Sequence, residues 1–282
     1  MSRCDRWEEA LAAFDRGQKA FGALGDEQGE AGVVLNRGIV FHEQGDYEGA
    51  AESYEGAVEL AQRAGAETLV ANARANLAVL ATIRGDLDSA VTQYRTCLSV
   101  YQTSGDLLGQ ARTYHNLGMA YADQQDWKAA TDSFERGFAI AHEQSRLDVL
   151  ANISLSRAEL MLELGDTLMS ASCCMQALDV YREIRDHLGE ADVYRLLGRV
   201  LTLRRQWTTA ARLFQDSLRM NEKYTHPLGM AETHRDLAKM QVAQGHTLEA
   251  RTPFEEALNG FRQLDMQADV AEVARLIEAL DG

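Results

Sequence analysis

"NLGMAYADQQDWKAATDSFERGF", residues 116–138, has no catalytic look, yet it places Ala, Gly and aromatic residues at even intervals. Forty positions earlier stands "NLAVLATIRGDLDSAVTQYRTCL", residues 76–98. The stretch is one copy of a repeat, and an internal period decides the fold before any single residue does.

The register runs through the chain without a gap. Small residues recur at Gly38, Ala78, Gly118, Ala158, Gly198 and Ala238, and again twelve positions on at Ala50, Ala90, Ala130, Ser170, Ala210 and Ala250. Four further on stand Tyr54, Tyr94, Phe134, Cys174, Phe214 and Phe254, and three beyond them Ala57, Cys97, Gly137, Ala177, Ser217 and Ala257. Steps of four and three keep one stripe of a helix in contact with its neighbour, and the small slots allow close approach. Each repeat therefore predicts two packed helices. Between them Gly45-Asp46, Gly85-Asp86, Gln125-Asp126, Gly165-Asp166 and Gly245-His246 are turn signals, Gly closing one helix and Asp capping the next. Between repeats, "GDEQGEA", "GDLLGQA", "RDHLGEA" and "THPLGMA" each end on an alanine that opens a first helix.

Composition agrees. The chain has 282 residues, 46% of them hydrophobic, and only two prolines, which predicts a globular all-α protein. A net charge of −15 argues against nucleic acid as a partner, because a phosphate binder needs a basic footprint. The N-terminal stretch "MSRCDRWEEALAAF" is charged where a signal peptide is apolar, and no run approaches a membrane span. A soluble, cytoplasmic protein is expected. Cys4, Cys97, Cys173 and Cys174 lack metal-ligand spacing and read as reduced, packed thiols, so neither metal nor cofactor is expected.

With Asn116-Leu117-Gly118, Tyr121, Ala130 and Phe134, the sequence resembles the tetratricopeptide repeat family, whose signature runs W-x2-L-G-x2-Y, Ala, Phe, Pro. Trp127 and Trp207 stand where that family often has an aromatic. The 40-residue period is similar to the longer-helix members: Leu-Gly-Asn repeat proteins, kinesin light chains, rapsyn and bacterial regulators. The resemblance implies a right-handed α-solenoid superhelix, and the register gives about 14 helices. Residues 1–24 form an N-terminal cap helix, 25–267 six repeats and 268–282 a C-terminal capping helix, with no internal domain boundary. Pro253, inside a second helix, is expected to kink or delay it.

The resemblance also implies that first helices line a concave groove. Asn36, Asn72, Asn76, Asn116 and Asn152 then form a ladder in its first half. Asn is a poor helix former, and its amide can pair with the backbone of an extended peptide whatever the side chains. The alternative is that these amides bond neighbouring helices and fix the superhelix. Arg112 and His115 stand beside the ladder. In the second half Arg195, Arg199, Arg235 and Lys239 repeat at i, i+4 on adjacent first helices, and residues 190–240 hold nine bases against six acids. This suggests recognition of acidic side chains or a carboxylate, and the alternative is pairing with Asp192, Glu232 and Asp236. On the first reading, Arg195→Glu with Arg199→Glu weakens the partner and leaves the melting temperature unchanged.

No H-E-x-x-H, G-x-S-x-G or phosphate-cradling loop is present in the sequence, so no enzyme is expected. The expected function is a protein-interaction scaffold that binds an extended, acidic peptide segment. The alternative is a ligand-responsive regulator that senses a signalling peptide. No membrane partner is expected, and the chain is expected to be a monomer or a weak homo-oligomer through its end helices.

Overall fold

The computed structural model describes residues 3–280, which form fourteen α-helices and no strand. They group into two compact units. The first, up to Gln144, holds α1 (Arg3–Leu24), α2 (Glu27–Glu43), α3 (Tyr47–Arg63), α4 (Glu67–Ile83), α5 (Leu87–Ser104), α6 (Leu107–Asp123) and α7 (Trp127–Glu143). The second, from Ser145, holds α8 (Leu147–Glu163), α9 (Thr167–Ile184), α10 (His187–Leu203), α11 (Trp207–Lys223), α12 (Pro227–Gln244), α13 (Thr247–Gln263) and α14 (Gln267–Glu278). This is the all-α solenoid class that the period predicts.

The helices stop and restart on a 20-residue beat. A left-handed residue (φ between 53° and 90°) stands at 25, 45, 65 and every twentieth position to 265. Seven of these are Gly, and six are not: Gln125, Ser145, Arg185, Arg205, Thr225 and Asp265. An L side chain in this region costs about 1 kcal/mol, so the helix packing on both sides must impose the turn there. The next residue is often Asp, whose carboxylate accepts from a backbone N–H three positions on: Asp46 from Gly49 (2.9 Å), Asp126 from Ala129 (3.1 Å), Asp166 from Met169 (2.9 Å). Each cap satisfies one of the free donors of a helix start and contributes about 1 kcal/mol.

Packing follows the small and large slots. Tyr54, Tyr94, Phe134, Phe214 and Phe254 are almost wholly buried, each burial stabilising by about 2–3 kcal/mol. They fit because the facing slot is small. A Cβ built on Gly118 would come within 2.5 Å of the Phe134 ring, and one on Gly198 within 2.6 Å of Phe214. Within each unit every helix packs on its chain neighbours, and first helices also touch first helices: α2 with α4 and α4 with α6, α8 with α10 and α10 with α12. First helices thus form a continuous layer in each unit.

Pro253 does not delay its helix. α13 has the same 17 residues as α11 and starts in register at Thr247. Pro253 is buried, its neighbour Phe254 belongs to the cluster that α12 and α14 complete, and that packing holds the helix through the missing hydrogen bond. Cys97, Cys173 and Cys174 are buried thiols, and burial pushes Cys97 up to about 11 and Cys174 up to about 12. They stay protonated and act as small apolar residues. The side chain of Cys4 lies outside the described residues. No described helix is long and apolar enough to cross a membrane.

Candidate functional site

The first-helix layer of the first unit holds a cavity of about 320 Å³ over α2, α4 and α6. Helix periodicity puts residues four apart on one stripe, so Asn72 and Asn76 face it from α4, and Arg112 and Asn116 from α6. Leu35 and Ile39 of α2 form an apolar shelf on the other side. Ile39 is 37% exposed, and Asn76 and Asn116 are partly buried. Neither amide forms a side-chain hydrogen bond among the described residues. These two do not tie neighbouring helices together, whereas Asn72 and Asn152 each accept from a tyrosine of the next helix, as the alternative reading has it. Asn72 also borders a wider cavity of about 770 Å³ between the starts of α2 and α4.

The remaining residues are placed differently. Asn36 is exposed on α2 and does not line the cavity. His115 turns towards α7, its ring 6.0 Å from that of Phe134, and burial lowers its pKa to about 4. It is neutral at physiological pH and belongs to the helix interface. Asn152, in the second unit, accepts a hydrogen bond from Tyr181 Oη at 2.8 Å.

The four bases of the second unit are all paired. Arg195 is 8% exposed, with its guanidinium 3.2 Å from Asp236, 3.3 Å from Glu232 and 4.0 Å from Glu159. Burial opposes its charge, but Glu232 and Asp236 more than offset that, so its pKa lies above the ordinary value. Arg199 pairs with Glu163 at 3.0 Å. Arg235 bonds Asp269 at 2.6 Å and Glu272 at 3.3 Å, and Lys239 bonds Glu272 at 2.7 Å. With Asp192 beside Arg195, seven carboxylates surround four cations. The surplus is negative, and burial pushes the Asp192 carboxyl up to about 7. The basic patch expected from residues 190–240 is thus an ion-pair network with excess acid. The pairing alternative describes it, because α8 and α14 supply acids that no window over those residues contains. No cluster of metal-ligating residues occurs among the described residues.

A family model described as tetratricopeptide repeat matches residues 30–103, 69–143 and 149–223, together more than half of the chain. Among solved structures, the apo form of RapI is similar with a TM-score of 0.76 at 12% identity, over 94% of this chain and 94% of that one. A Rap protein complexed with Competence and Sporulation Factor aligns at 10% identity over 100% of this chain and 87% of that one, TM-score 0.68. The APC/C hetero-tetramer Cut9-Hcn1 aligns at 14% identity over 97% and 47%, TM-score 0.70. At such identities the likeness is one of fold. A comparison with curated proteins finds no match.

Proposed function

From the premise that the chain belongs to the tetratricopeptide repeat family, we propose that it is a non-catalytic interaction module whose first unit binds an extended segment of a partner protein. One observation carries this: the amides of Asn76 and Asn116, bonded to nothing among the described residues, share a cavity with Asn72, Arg112 and the Leu35–Ile39 shelf. Both amides open onto the cavity, and a ligand backbone offers the acceptor and the donor that the protein does not give them. The shelf takes an apolar side chain of the segment. A Rap protein of the same fold was solved with Competence and Sporulation Factor bound, which fits a module of this kind.

Acidic groups on the partner are not the determinant in this reading. An acidic side chain at Arg195 or Arg235 would have to displace carboxylates already within 3.3 Å. The selectivity we propose is for backbone and an apolar side chain.

The test is a pull-down from native extract with the whole chain, beside Asn76→Ala/Asn116→Ala and beside Arg199→Ala. A partner retained by the native chain and by Arg199→Ala but lost with the paired Asn change supports the cavity as the site. Retention by the Asn variant, with loss on Arg199→Ala, returns the site to the second unit and overturns the proposal.

A further inference from the structure

Two hydrogen bonds recur 80 residues apart with nearly the same geometry. Tyr101 Oη donates to Asn72 Oδ1 at 2.7 Å, and Tyr181 Oη to Asn152 Oδ1 at 2.8 Å. Each tyrosine sits near the end of a second helix, α5 or α9, and reaches back to the start of the first helix of its own repeat. Both are buried, at 2% and 3% exposure. Burial pushes the pKa of both hydroxyls up, so they are protonated donors at neutral pH.

The sequence treats the pair as a unit. The positions equivalent to Asn72 and Asn152 in the other repeats are Gly32, Arg112, Asp192 and Glu232, and those equivalent to Tyr101 and Tyr181 are Ala61, Ala141, Asn221 and Phe261. Tyr stands wherever Asn stands and nowhere else in the register. Space for each ring is reserved by a third residue: a Cβ on Gly109 would come within 2.6 Å of the Tyr101 ring, and one on Gly189 within 2.4 Å of that of Tyr181. A structural anchor alone would not require its acceptor to be an amide, since an acid or another hydroxyl accepts equally well.

An amide rotates readily between two faces of opposite polarity. A hydroxyl that donates to Oδ1 fixes that oxygen inward and turns both N–H bonds of Nδ2 outward, where neither amide has another hydrogen bond among the described residues. For Asn72, outward is the cavity system of the first unit. We propose that Tyr101 is a positioning residue that holds Asn72 as an N–H donor to a main-chain carbonyl of a bound extended segment. This rests on the peptide-binding reading above and specifies it: the Asn72 amide donates to a carbonyl oxygen, with no preference for the side chain.

The test uses N-acetylated, C-amidated hexa-alanine as the probe and side-chain amide NMR as the readout, on the full chain. In the native chain the Asn72 NH₂ pair is expected to be sharp and to shift on titration. Tyr101→Phe removes only the hydroxyl, and is expected to broaden the apo Asn72 pair and weaken the probe at least threefold. Tyr94→Phe, a buried tyrosine that does not bond Asn72, is expected to change neither. Asn72→Asp keeps the acceptor for Tyr101 and removes both donors, and is expected to lose the probe with its fold intact. Unaltered binding by Tyr101→Phe or by Asn72→Asp overturns the positioning role and leaves the peptide reading standing. An apo Asn72 signal unaffected by Tyr101→Phe does the same. Failure of the native chain to bind the probe overturns the peptide reading, and the positioning role with it.

Discussion

Asp192 is the place where pH enters the stability of the second unit. It lies in the first turns of α10, facing Glu159 of α8 and Glu232 of α12, with Arg195 one turn along its own helix and Asp186 at the helix cap. Burial is the main cause that raises its pKa to about 7. Arg195 opposes the shift, while Glu232, Glu159 and Asp186 add to it. The native state thus holds the proton more tightly than the unfolded chain, whose Asp titrates near 3.9. Between about pH 4 and pH 7 the folded form binds the extra proton, so unfolding free energy falls as pH rises through that window and levels off above it. Three units at 1.36 kcal/mol each set a ceiling of about 4 kcal/mol. Water at the partly exposed carboxyl reduces this to about 1–3 kcal/mol. Asn has the same shape and no charge in either state. Asp192→Asn is therefore expected to stabilise the chain by about 1–3 kcal/mol near pH 8 and to be close to neutral near pH 5, read by urea melts with an unchanged m-value. A variant less stable than the native chain near pH 8 would mean that attraction to the nearby Arg195 charge outweighs desolvation, and would refute the reasoning.

Arg195→Glu is expected to destabilise by about 3–5 kcal/mol, seen as a large drop in melting temperature, because a fourth carboxylate would join Glu159, Glu232 and Asp236 where the cation was. This reverses the expectation drawn from sequence for that change, and an unshifted melt would restore it. Gln125→Gly relieves a left-handed turn (φ 60°) and is expected to stabilise by about 0.5–1 kcal/mol in thermal melts. Gly189→Val drives a side chain into Tyr181 and is expected to cost about 2 kcal/mol or more; adding Tyr181→Ala is expected to recover at least 1 kcal/mol of the summed loss, measured as a double-mutant cycle.

The fold was legible because solenoid packing is local and repeats its demands. Gly118 must be small because Phe134 lies on it, and the same requirement returns forty residues later at Gly198 and Phe214. Aspartate caps were legible for the same reason. The register marks turns at Gln125 and Thr225 but not their left-handed backbone, since these residues and Arg205 carry no mark of that conformation and the flanking helices impose it. The charge of the second unit was misread because a sequence window sums what is adjacent in the chain. Arg199 meets Glu163 from 36 residues back, and Arg235 meets Asp269 and Glu272 from 34 and 37 ahead. In a repeat of 40, electrostatic neighbours lie almost one period away, so charge must be summed along the period and not along the chain.

The same principle separates the two polar ladders. On α10 and α12, charged side chains at equivalent positions find opposite charges on the next first helix, so the network satisfies itself at each step and leaves little for a partner to gain. On α4 and α6 the ladder is built from Asn, and a neutral amide repeated one period on faces another amide with a cavity between them. What joins the ladder to its own protein is vertical, from Tyr101 beneath Asn72, and it satisfies the oxygen while leaving the nitrogen. A self-satisfied network holds helices together, whereas we propose that a ladder supported from one side and open on the other holds a bound segment. On the proposed function, that difference, and not the sign of the net charge, separates scaffold from binding surface.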